Sequence, residues 1–107
     1  MTSPQNRRFE PRSPANARGL VVAPGLELPC LILDQSAAGL RVRLERKLAL
    51  PDQVIVIDMG RAMALEADVV WRKGQEAGLK QHGQSALRGL VPSRLAAARA
   101  AWLRASA

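Results

Sequence analysis

Along much of this chain apolar and polar residues alternate with a period of two, the signature of strands with one buried face. In residues 39–45, Leu40, Val42 and Leu44 share one face while Arg41, Arg43 and Glu45 share the other. In residues 63–72, Met63, Leu65, Ala67, Val69 and Trp71 line up in the same way, which places Trp71 with the core-facing set. Runs at 18–23, 26–34, 53–59 and 76–81 complete six predicted strands, separated by Gly, Pro and Asp punctuation. Six short antiparallel strands, each with one apolar face, bury those faces most economically by closing on themselves. The pattern therefore predicts a mainly β fold, a small six-stranded antiparallel β-barrel.

Both ends depart from this pattern. Residues 1–17 contain Pro4, Pro11 and Pro14, which forbid a regular helix, and little apolar surface beyond Phe9, so they read as a flexible N-terminal arm. From Ser85 onward the chain is rich in Ala, Leu and Arg, with Pro92 at an acceptable first-turn position. Leu95, Ala98 and Trp102 fall on one helical face, which predicts a C-terminal helix that caps the barrel and takes Trp102 into the core. Its arginines then form a solvated basic back, a reading favoured over a nucleic-acid or membrane-surface helix. The expected division is an arm over 1–17, a barrel over 18–84 and a helical segment over 85–107, one domain in all.

Composition narrows the function. A chain of 107 residues is one domain by size. Thirteen of its sixteen basic residues are Arg and the net charge is +7, so the surface attracts anions, and Arg suits forked contacts to phosphate or a guanine edge. Only Phe9, Trp71 and Trp102 are aromatic, so the sheet offers few platforms for stacking bases, which argues against a small basic RNA-binding barrel. Cys30 is the single cysteine and sits in the apolar run CLIL, so no intrachain disulfide can form, and a reducing cytoplasm is the expected setting. The N-terminus has no signal-peptide core, and no apolar run is long enough to span a membrane. His82 stands alone, no metal-ligand spacing recurs, and no serine has a G-x-S-x-G setting, so a non-enzyme with no metal or cofactor is expected.

Two short motifs remain. Asp34, Ser36 and Gly39 form a DxSxxG at the corner before the strand GLRVRLE. Composition alone gives this pattern on the order of 0.02 times. Its residues suit a tight turn, with Asp and Ser bonded to their own backbone and Gly at positive φ, and they equally suit a corner that holds a ligand. Arg8 and Arg12 form an RxxxR on the arm, preceded by Arg7, a spacing expected about once by accident in so Arg-rich a chain.

Taken in order, RxxxR on an N-terminal arm, DxSxxG entering GLRV, a later ADVVWR followed by GL, and a helical tail resemble the PilZ domain family. The resemblance covers nearly the whole chain from Arg7. It implies a six-stranded PilZ-type barrel from a bacterial second-messenger system, with cyclic di-GMP as ligand. By that resemblance Arg8 and Arg12 bond guanine O6 and N7 or a phosphate, and Arg7 adds a phosphate contact. Asp34 accepts from guanine N1–H and N2–H, Ser36 bonds base or phosphate, and Gly39 lets the backbone turn close to the ligand. Trp71, at a strand end, is either core or a pocket wall. Gln81 departs from the family pattern, which often has an apolar or aromatic residue there. No output domain is visible, so signalling would pass to a separate effector protein. The alternative is a PilZ-like adaptor that works without nucleotide.

Overall fold

The computed structural model describes residues 16–106; Arg7, Arg8 and Arg12 lie outside them. Alternation builds six strands, β1 (Ala17–Ala23), β2 (Leu26–Gln35), β3 (Gly39–Leu44), β4 (Gln53–Asp58), β5 (Met63–Lys73) and β6 (Glu76–Ala86). They close into an antiparallel barrel in the order β1-β2-β3-β6-β5-β4, with β4 returning to pair with β1. Neighbours in sequence are joined by short turns, except that β3 crosses to β4 through the longer segment 45–52. Between β5 and β6, Gly74 takes φ 60°, the left-handed conformation that a two-residue hairpin turn needs at its first position.

The barrel interior is aliphatic, as three aromatics in the sequence require. Leu28, Ile32, Val42, Leu44, Val56 and Leu65 are fully buried in it. A second apolar layer lies on the outside of the barrel, where Leu20 and Val22 of β1, Ile57 of β4 and Ala64 of β5 meet Leu87, Leu95, Ala98 and Ala101. The last three belong to a 3₁₀ turn (Ser93–Leu95) and the helix α1 that follows it (Ala96–Ser106). Trp102 is half-buried against the same layer, as its helical spacing predicts. The expectation of one apolar face per strand thus fails for β1 and β4. Both faces are covered there, one by the interior and one by the helix, so Leu20-Val21-Val22 and Val56-Ile57 are continuous buried runs.

Two further expectations change. β6 continues past Gln81 to Ala86, pairing with the first half of β5 from Ala64↔Ser85 to Glu66↔Gly83. Its last residues, HGQSA, are small or polar, so main-chain ladder bonds hold them in the sheet with no apolar alternation to announce it. The basic back of the helix is also not simply solvated. Arg94 forks onto Glu66 at 3.0 and 3.3 Å, Arg99 Nε donates to the Leu87 carbonyl at 3.1 Å, and Arg104 pairs with Glu27. The Arg94 hydrogen bond holds the Glu66 carboxyl below its ordinary range, and Glu66 raises Arg94 in turn. Three arginines therefore tie the helix to β2, β5 and the segment after β6.

Cys30 lies in the interior, and burial pushes its thiol up to about 12. A buried thiol that stays protonated is a poor nucleophile. Native protein at pH 8 should resist alkylation that goes to completion once the chain is unfolded. Because the folded pKa lies above the unfolded value, the unfolded state loses its proton first. Stability should fall between about pH 9 and 12 by an increment that Cys30→Ala abolishes.

Candidate functional site

The helix covers one side of the barrel and leaves the outer face of β2, β3, β6 and the end of β5 open. Strict alternation would keep Asp34 of β2 off that face. Leu28, Cys30 and Ile32 point inward, so Asp34 would follow them into the aliphatic interior. A β-bulge intervenes, since Ile32 pairs with Val42 but Asp34 pairs with Arg41, leaving Leu33 as the extra residue. That one insertion turns Asp34 outward. The same device acts on β5, where Val69 pairs with Leu79 but Trp71 pairs with Gly78, with Val70 as the extra residue. Alternation places Trp71 in the core; the bulge instead leaves it 43% exposed on the outer face.

The two bulges bring four residues into a single row across four strands. Asp34 of β2 stands opposite Arg41 of β3, Arg41 opposite Gly78 of β6, and Gly78 opposite Trp71 of β5. Gly78 is required by contact, since a Cβ there would run into the Trp71 indole at Nε1, so the ring lies directly over the bare backbone. Asp34, Ser36, Gly39, Arg41 and Trp71 line one open depression of about 340 Å³. That volume is at the low end for small-molecule sites, which run to about 300–1,000 Å³. A larger hollow of about 620 Å³ lies against the helix, and one of about 660 Å³ adjoins this row and is lined by Arg18, Leu31 and Arg43.

The corner itself is a tight turn. Ser36 N–H donates to the Gly39 carbonyl at 2.8 Å, and the Ser36 hydroxyl donates to the same oxygen at 3.4 Å. Gly39 does not take positive φ, contrary to the turn-based expectation. Its missing side chain has another cause, for a Cβ would collide with the Leu79 carbonyl of β6. Asp34 meets Arg41, whose Nε and Nη2 both approach Oδ2 at 3.1 Å, while Arg41 Nη1 reaches Glu76 Oε1 at 3.1 Å. The Asp34 hydrogen bond and the charges of both carboxylates outweigh desolvation and raise the Arg41 guanidinium above its ordinary value. On the next row Arg18 and Arg43 flank Leu31, and neither forms an ion pair among the described residues. They add positive potential beside the depression.

The structure therefore brings Asp34, Ser36, Gly39 and Trp71 together, while Arg7, Arg8 and Arg12 fall outside the described residues. Arg41, Glu76 and Gly78 were not singled out by the sequence. Arg41 was legible as an outward residue of GLRVRLE. Glu76 and Gly78 carry no local signal, because their role depends on which strand lies beside β3. At the position that departs from the family pattern, Gln81 is half-buried in β6 and its N–H bonds the Ala38 carbonyl at 3.1 Å, so the exchange leaves the strand paired. Among the described residues no three His, Cys, Asp or Glu side chains gather as a metal site, and no helix is long and apolar enough to cross a membrane.

Comparison with protein families decides what this arrangement belongs to. A model of the PilZ domain matches residues 6–91, most of the chain. The chain belongs to the PilZ domain family. PilZ domains are binding domains, in general cyclic di-GMP receptors, and the closed six-stranded barrel with a C-terminal helix fits that assignment. No curated protein and no solved structure gave a match to the chain. The matched range includes all five residues of the two motifs together with Arg7, Arg41, Trp71 and Gly78.

Packing of the indole on Gly78 makes a direct check of the PilZ site. In a Trp102→Phe background, where Trp71 is the sole fluorophore, Gly78→Ala should displace the ring and shift its emission toward that of free indole in water. The melting temperature should change little, because the lost contact lies on the surface. An unshifted spectrum would contradict the stacking of Trp71 on the β6 backbone.

Proposed function

We propose that this PilZ domain binds cyclic di-GMP on the outer face of β2, β3, β6 and the end of β5, and that the arm carrying Arg8 and Arg12 closes over the bound nucleotide. The observation that carries the reading is the turning out of Asp34 and Trp71, by independent bulges, into one row. A carboxylate and an indole face suit the two sides of guanine chemistry. The carboxylate accepts from N1–H and N2–H at the base edge, and the indole offers a flat apolar wall for the ring. Ser36 and Gly39 sit at the adjoining turn, within reach of base or phosphate.

The depression is open, and a dinucleotide placed in it would keep one side bare. The arm is well situated to cover that side. Asn16 N–H bonds the Ile32 carbonyl at 2.9 Å, so the chain enters β1 two residues from Asp34 along β2. Arg12 precedes Asn16 by four residues, a reach of at most about 14 Å. Arg8 and Arg12 would then supply forked contacts to guanine O6 and N7 or to phosphate, with Arg7 as a further phosphate contact. The closed arm changes the surface beside the site, and an effector protein reads that change.

One observation favours a second reading, an adaptor that works without nucleotide: Arg41 already engages Asp34. Calorimetric titration decides between them. Cyclic di-GMP should bind the wild-type chain, and Arg8→Ala, Arg12→Ala and Asp34→Ala should each lose about 2 to 3 kcal/mol, roughly thirty- to a hundredfold, with the barrel still folded. Cyclic di-AMP has neither the donor pair nor the O6 acceptor and should bind at least about a hundredfold more weakly. Absence of binding by the wild type would leave the adaptor.

Closure of the arm has its own check. On saturation with cyclic di-GMP, amide exchange should change most at residues 7–12 and 34–39 and least in α1 around Trp102. Exchange at residues 7–12 that is the same with and without ligand would refute closure even with binding confirmed.

A further inference from the structure

Arg41 belongs to neither motif, yet it stands at the centre of the row, and both usable edges of its guanidinium are taken. Nε and Nη2 address Asp34 Oδ2 at 3.1 Å, and Nη1 addresses Glu76 Oε1 at 3.1 Å, two residues along β6 from Gly78, the register partner of Arg41. We propose that Arg41, held by Glu76, is a positioning residue that fixes the Asp34 carboxylate for recognition of a guanine edge. The inference rests on the cyclic di-GMP reading of the same site.

Three observations support it. Asp34 follows a bulge and precedes the turn at Ser36, so the regular ladder on its own side does little to restrain its carboxylate. Arg41, by contrast, lies within β3, which is paired on both sides, by β2 and by β6, and its backbone is fixed by both ladders. A side chain on a rigid strand is thereby lent to a carboxylate on a less regular one. Second, the pair is a poor stability device. The Arg41 side chain is 43% exposed, and exposed ion pairs contribute little to folding.

The third observation is the charge of the cluster. Two carboxylates share one guanidinium, so Asp34, Arg41 and Glu76 together carry a net negative charge. The carboxylate oxygens of such a cluster accept from the N–H edge of a neutral base and offer a phosphate no donor of their own. Phosphate recognition then falls to cations that no carboxylate holds, and Arg18 and Arg43 on the adjoining row are two of these among the described residues. This divides the work, with the negative cluster reading the base and the free arginines meeting the phosphates.

The alternative is that Arg41 leaves Asp34 and takes a ligand phosphate itself. Glu76→Gln separates the two by sign. If Arg41 positions Asp34, removing its second anchor should weaken cyclic di-GMP binding about five- to tenfold. If Arg41 binds phosphate, the same change releases it and should tighten binding. A double-mutant cycle gives the second readout. Arg41→Ala should weaken binding in the wild-type background and have no further effect in Asp34→Asn, because its action passes through that carboxylate. Arg41→Lys, a cation without the fork, should recover only part of the loss. Unchanged or tighter binding by Glu76→Gln, or additive losses in the cycle, would overturn the positioning role. Failure of wild-type protein to bind cyclic di-GMP would instead overturn the functional reading beneath it, and thermal melts of each variant separate both from loss of fold.

Discussion

A strand in a closed barrel can offer only every second residue to solvent, and that constraint governs the whole site. The interior of this barrel is aliphatic, so a carboxylate forced inside would lose its water with nothing to replace it, at a cost of several kcal/mol. Shifting a whole strand by one residue would cure Asp34 only by exposing Leu28, Cys30 and Ile32. A bulge solves the problem locally, because the face changes after the extra residue and not before it. Leu33 does this for Asp34 and Val70 for Trp71, and the row through Arg41 and Gly78 exists only because both have done so.

The same barrel divides its outside into two territories. On β1, β4 and the start of β5 the outer face is apolar and lies under α1; on β2, β3, β6 and the end of β5 it is charged and open. The arginines follow this division. Arg94, Arg99 and Arg104 fasten the helix. Arg72 reaches the carbonyls of Leu48, Gly74 and Glu76 and so ties the β5–β6 hairpin to the loop after β3. Arg41 is committed to two carboxylates, whereas Arg18 and Arg43 are committed to none among the described residues. A net charge of +7 therefore overstates the free positive surface, and Arg18 and Arg43 put part of what is free next to the open row.

Strand number, barrel closure and the packing of Trp102 were legible because each rests on periodicity over several residues, where single errors average out. Every misreading came from a place where periodicity breaks or carries no signal. Trp71 fell in the core-facing set by alternation from Met63 to Val69, with a pocket wall as its other reading, and nothing in DVVWR marks the inserted residue that turns it outward. The tail of β6 was missed because HGQSA has nothing apolar to alternate, although main-chain pairing with β5 holds it. Gly39 was recognised as necessary for the wrong reason, since the atom that excludes a side chain there belongs to Leu79, forty residues away. The DxSxxG corner was legible as chemistry, but Arg41 and Glu76 became partners of Asp34 only when β6 was placed beside β3.

In the proposed reading the site is split between a strand-borne wall and an arm, which allows two demands to be met separately. Discrimination between bases needs donors and acceptors held in place before the ligand arrives, because a group that must first be ordered spends binding energy equally on right and wrong ligands. In that reading the strand-borne row supplies them, with Asp34 restrained by a neighbour on a strand paired on both sides. Signalling needs the opposite property, a segment whose state depends on occupancy. An arm that gains its contacts from the ligand has it, at the cost of ordering its chain on binding. Joining the two at Asn16, beside Ile32 and close to Asp34, keeps the connection short. What the row recognises can then decide where the arm lies without any rearrangement of the barrel between them.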